Sequence, residues 1–99
     1  MIISTTPIHR FNLPFSTSAI TKLVIAYNQG GCNILEKTKD DCTLTGNTVS
    51  VQLTQEETLL FNYHYDVEIQ IKVLTTDNNA LASKIISVDC ERCLINEVL

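Results

Sequence analysis

The ten residues "DVEIQIKVLT", Asp66 to Thr75, constrain the fold more than any other stretch. Val67, Ile69, Ile71 and Val73 fall on one side, and Glu68, Gln70 and Lys72 on the other. A period of two is that of an extended strand, whereas a helix would scatter these positions around its axis. One face packs and the other meets water, as in an antiparallel sheet buried on a single side.

The alternation recurs in "NTVSVQL", with Val49, Val51 and Leu53 inward, and in "KLVIAYNQ", with Leu23, Ile25 and Tyr27 on one face. Turn chemistry separates these pieces. Gly46-Asn47 suits a two-residue hairpin between a short strand from Cys42 to Thr45 and the strand from Thr48 to Leu53. Gly30-Gly31 turns the chain into "CNILEKT", and Asp77, Asn78 and Asn79 tolerate the left-handed backbone of a tight turn. Adding an opening strand near Ile8 to Leu13 and a last long strand from Leu81 to about Cys90 gives about seven. The expected fold is all-β: an immunoglobulin-like antiparallel β-sandwich with Greek-key connections, formed as one domain over residues 1–99.

One segment departs from the pattern. In "VQLTQEETLLF" the strand rhythm stops at Thr54, and Thr54-Gln55-Glu56-Glu57 fits a capping box: the Thr54 side chain accepts from the Glu57 N–H, and the Glu57 carboxylate reaches back to the Thr54 N–H. Glu56 and Glu57 also suit the positive end of a helix dipole. A single helical turn near Gln55 to Leu60 is expected to carry the chain from one sheet to the other, with Leu59 or Phe61 closing the core.

Composition narrows the function classes. Apolar residues make up 44% of the 99 residues and charged residues 18%, enough for one core and too apolar for a disordered chain. The net charge is -4 and the seven Lys and Arg are scattered, apart from Lys37 and Lys39, so nucleic acid finds no basic footprint. No apolar run approaches the ~18 residues of a membrane span, and the start of the chain lacks the features of a secretion signal. A soluble protein made in the cytoplasm is expected, with reduced thiols as the default for Cys32, Cys42, Cys90 and Cys93.

The candidates for chemistry are weak. Cys90-x-x-Cys93 resembles half of a zinc site or a redox pair, but Cys32 and Cys42 have nine residues between them, far from a second short knuckle, and plain thiols are favoured over metal or a disulfide. His9 and His64 are isolated. No phosphate loop, nucleophile elbow or fixed carboxylate pair is present, so no enzyme, no catalytic residue and no cofactor or metal is expected. "NYHYD" groups Tyr63, His64 and Tyr65 with Asn62 and Asp66, the residue types of protein interfaces and sugar platforms. At strand spacing the two tyrosines share a face and are expected to cover the end of the core, with a subunit contact as the second reading.

The succession "LPFSTSAITKLVIAYNQGG", "ILEKTKDDC", "GNTVSVQLTQEETLLF", "VEIQIKVLTTDNNALASKII" and "CLINEVL" resembles a family of small proteins encoded in phages and prophages of Firmicutes and grouped with virion, tail or baseplate genes. The resemblance runs from about Ile8 to Leu99 and is most specific at "LTQEET" and "VEIQIKVLTTDNNALAS"; Cys90 and Cys93 are not part of its pattern. It implies an immunoglobulin-like sandwich, similar to the N-terminal module of phage baseplate upper proteins, with no catalytic residues and a role in attachment and assembly. Localisation in a virion follows from it, with synthesis in the host cytoplasm.

The resulting expectation is a non-enzymatic virion structural or assembly protein that contacts other phage structural proteins or itself as a homo-oligomer, and neither nucleic acid nor membrane. Tyr63, Tyr65, Leu94, Ile95, Val98 and Leu99 are the expected interface residues, the last four as a terminal strand or tail pairing with a neighbour. The alternative is a carbohydrate- or ligand-binding sandwich that uses the aromatic cluster.

Overall fold

A computed structural model describes all 99 residues. Eight strands form two antiparallel sheets: β1 (Ile8–Asn12), β2 (Ile20–Gln29), β3 (Cys32–Thr38), β4 (Cys42–Thr45), β5 (Thr48–Gln52), β6 (Val67–Thr75), β7 (Ala80–Ala82) and β8 (Ile86–Val88), with one α-helical turn, α1 (Gln55–Thr58), and 3-10 turns at Thr17–Ala19 and Lys39–Asp41. One sheet has the order β1-β5-β4, and the other β3-β2-β6-β7 with β8 also on β6. This is the Greek-key order of an immunoglobulin-type sandwich in which β1, β5 and β4 take the places of strands B, E and D, and β3, β2, β6 and the β7/β8 pair those of C′, C, F and G. The first strand is reduced to a single parallel bridge between Ile2 and Glu91.

Periodicity places the core where expected. Ile25 stands opposite Ile71 and Tyr27 opposite Ile69 in the β2–β6 ladder, and these residues are buried together with Leu23, Val67 and Val73. Val49, Val51, Leu53 and Phe11 meet them from the other sheet. Only 19 residues are buried, and the molecule is a slab 17 Å across its shortest axis.

Both hairpins form as two-residue turns, with Gln29 opposite Cys32 and Thr45 opposite Thr48. Gly30 and Gly31 have φ of 55° and 79°, the left-handed pair that matches the twist of the flanking strands. Asn78 takes φ 64° in the β6–β7 turn.

The capping box is complete: Glu57 N–H donates to the Thr54 hydroxyl at 3.1 Å, and Thr54 N–H to the Glu57 carboxylate at 2.9 Å. α1 follows β5 and leads to β6, so the turn does link the two sheets, and Phe61 closes the core beyond it.

The last long strand from Leu81 to Cys90 does not form as one piece. Ala82 pairs with Lys72 and Ile86 with Ile69, so Ser83, Lys84 and Ile85 face only Ile71 and Gln70, one residue too many. Ser83 causes the break by donating its N–H to the Ile71 carbonyl and accepting the Ile71 N–H on its hydroxyl, while its carbonyl accepts from the Gln70 amide. A side chain competing for a ladder donor and one extra residue are what a β-bulge consists of. The count is eight rather than about seven because this strand is split.

Candidate interaction surfaces

The N-terminal segment, α1, residues 59–66 and the last eleven residues gather where β5 ends and β6 begins. Thr58 is fully buried, and its hydroxyl accepts from Thr5 N–H at 3.1 Å and donates towards the Thr5 carbonyl at 3.0 Å, fastening the N-terminal segment to α1. Gln29 does the same for the loop after α1. Its buried amide donates to the carbonyls of Asn62 (2.7 Å) and Tyr65 (3.0 Å) and accepts from Asn62 N–H at 2.8 Å. An amide that satisfies three loop backbone groups fixes the path of that loop.

On this path Tyr63 and Tyr65 point outward. They are 40% and 57% exposed, and residues 62–66 form turns rather than a strand, so the expected shared face and the expected cover over the core are both overturned. Asn62 is the reason: its side chain accepts from His64 N–H and its carbonyl from Tyr65 N–H, curling the backbone out of the extended form. Phe61 covers the core in their place. The rings of Tyr63 and His64 lie 4.2 Å apart at a 40° tilt, and neither tyrosine lines any of the principal clefts.

The segment Leu94 to Leu99 is a tail and not a terminal strand. Leu94, Ile95, Val98 and Leu99 are 85%, 60%, 44% and 89% exposed. The tail is held at its far end by Gln55, which donates its amide to the Leu99 carbonyl and accepts the Leu99 N–H. Its apolar residues come in adjacent pairs, so no single strand face could bury them all.

The chemistry-bearing residues stay apart. Cys42 and His9 stand on opposite sides of Val51 in register, which places their backbones roughly 10 Å apart, too far for a thiol–imidazole pair. Burial raises the thiol pKa of Cys42, with Asp41 adding to the effect and Lys37 opposing it; burial also raises that of Cys90. Both resist forming the thiolate a nucleophile needs. All four cysteines are free thiols, and no three His, Cys, Asp or Glu side chains converge as metal ligands.

One polar contact crosses the sandwich. His9 Nδ1 lies 2.7 Å from the Tyr27 hydroxyl. Burial, with Cys42 and Glu57 adding to it, pushes the Tyr27 phenol up, while burial and then the N-terminal ammonium hold His9 below its ordinary value. A neutral pair fits, the hydroxyl donating to the imidazole. Nearby, Lys37 pairs with Glu57. Burial acts to raise the Glu57 carboxyl, but hydrogen bonds from Lys37 and Thr54 outweigh it and keep the group below the usual carboxylate range.

Gln29, Thr58 and His9 escaped the sequence reading as structural residues, yet two carried a signal. Gln29 continues the inward face of Leu23, Ile25 and Tyr27, and His9 shares the inward face of Phe11. A polar residue at an inward position needs a buried partner. Compared with protein-family models, curated proteins and solved structures, the chain has no significant match to any.

Proposed function

We propose that this chain is a non-enzymatic structural or assembly subunit that works through protein–protein contacts, of the kind found in phage and prophage tails and baseplates. The observation that carries the reading is where large apolar side chains are left in water. Four of the thirteen exposed ones fall in the last six residues, and Leu60, Tyr63 and Tyr65 lie just after α1. Apolar surface concentrated in this way favours a partner that covers it. The free sheet edges supply the second means of contact, since unpaired backbone groups add strands readily. The virion setting rests on the sequence resemblance to small phage proteins.

Sedimentation of the purified protein across a concentration series tests the reading, with and without residues 94–99. A concentration-dependent oligomer that shrinks on truncation is expected. A monomer at every concentration in both forms would overturn self-assembly.

The carbohydrate reading keeps one observation in its favour, the exposed Tyr63–His64 ring pair on a loop fixed by Gln29. Replacing both Tyr63 and Tyr65 with Ala separates the two. Lost glycan binding by an intact oligomer would support the ligand reading, and a lost oligomer with an intact fold would support assembly.

A further inference from the structure

The outer edge of β1 is open. Leu13 N–H donates to the Asn47 carbonyl and Leu53 N–H to the Pro7 carbonyl, so the odd residues of β1 face β5 with their backbone groups. Ile8, Arg10 and Asn12 therefore turn their N–H and C=O groups outward, where no strand meets them. Beside the end of this edge lies an apolar cleft of about 300 Å³ between Leu13, Pro14 and Phe15 on one side and Ile71, Val73 and Leu81 on the other. That is the bottom of the ~300–1,000 Å³ range of small-molecule sites, but it has room for an aliphatic side chain. The edge and the cleft together have the shape left by a missing strand.

Resting on the assembly reading above, we infer that this gap receives residues 94–99 of a second copy, added antiparallel to β1. The register is set by charge. Arg10 is the only charged side chain among Ile8, Arg10 and Asn12 of β1's open edge, and Glu97 is the only charged side chain of the tail. Placing Glu97 of the second copy opposite Arg10 puts its Leu99 opposite Ile8 and its Ile95 opposite Asn12, so two exposed apolar side chains, Ile8 and Leu99, cover each other. On the core side the same register sets Val98 opposite His9 and Leu94 opposite Leu13, at the mouth of the cleft. Asn96, opposite Phe11, is the one polar residue on that side.

The alternatives fit less well. Parallel addition with the same ion pair would leave nothing opposite Leu13, and the cleft would stay empty. Pairing β1 with its own copy in the full two-fold register would set Arg10 against Arg10, a like-charge pair that opposes it.

Charge reversal tests the joint. Arg10→Glu alone and Glu97→Arg alone are each expected to weaken self-association by about tenfold or more, read by sedimentation equilibrium, because each sets like charges against one another. Mixing the two single variants in equal amounts should restore assembly, since every junction between unlike copies is again Glu against Arg. Circular dichroism of each variant checks that the fold is intact. An oligomer indifferent to both reversals overturns this joint while leaving assembly by another surface standing. Association lost in each variant and not restored on mixing also overturns it. A wild-type monomer at all concentrations would overturn the joint and self-assembly together.

Discussion

Two seven-residue stretches, "VEIQIKV" (67–73) and "CLINEVL" (93–99), each carry four Val, Ile or Leu residues and meet opposite fates. In the first, all four are at most 4% exposed; in the second, all four are at least 44% exposed. Hydrophobicity does not separate them, but order does. Val67, Ile69, Ile71 and Val73 occur at every second position, so one strand face buries all of them. Leu94-Ile95 and Val98-Leu99 are doublets, and any extended conformation sends half of each pair away from the core. Breaking the period thus leaves apolar residues in water without any change in composition.

The largest test of this contrast is truncation in each stretch. Ile71→Ala removes a fully packed side chain and is expected to cost about 2–5 kcal/mol, whereas Ile95→Ala should stay within about 0.5 kcal/mol. Urea unfolding of dilute, monomeric protein measures both, and equal costs would show that the tail is part of the folded core. Next comes Gln29→Ala, which strips partners from the backbone groups of Asn62 and Tyr65 and is expected to cost about 1–3 kcal/mol. Faster amide hydrogen exchange at Asn62 should accompany it, with little change in β6.

Thr54→Ala removes the cap of α1 and should cost about 1 kcal/mol, read by the same unfolding curves. The smallest effect concerns pH. Because the native pKa of His9 is held below its ordinary ~6.5, the unfolded chain takes up a proton that the folded one refuses. Stability should therefore fall as pH drops below about 6.5 and level off once pH passes beneath the native value. His9→Phe should remove this component, and thermal unfolding of both proteins at pH 7.5 and at pH 5.5 checks it. Glu57, held low, titrates at more acidic pH and lies outside that window.

Most of the fold was legible because its signals are local. Period-two faces, two glycine hairpins and the Thr54 box each need only neighbouring residues, and each formed where expected. What was missed depends on partners distant in sequence. The break at Ser83 requires knowing that its hydroxyl meets Ile71, twelve positions away, and the outward turn of Tyr63 and Tyr65 follows from Asn62 and Gln29 acting on the backbone together. The tail's exposure could be read in its doublets, but its anchoring by the Gln55 amide, 44 positions away, could not. The cleft next to β1 was invisible to pattern, because Leu13, Pro14 and Phe15 meet Ile71, Val73 and Leu81 only once the chain is folded.

Gln29 has one more consequence. It holds residues 62–65 entirely through backbone atoms, and the side chains of Tyr63, His64 and Tyr65 make no hydrogen bond that fixes the loop. Shape and surface chemistry are therefore separable at these three positions. Mutation can rewrite what the loop displays while its path persists, so these three positions can vary under selection at little risk to folding, and a library randomised there would present new surfaces on a constant frame.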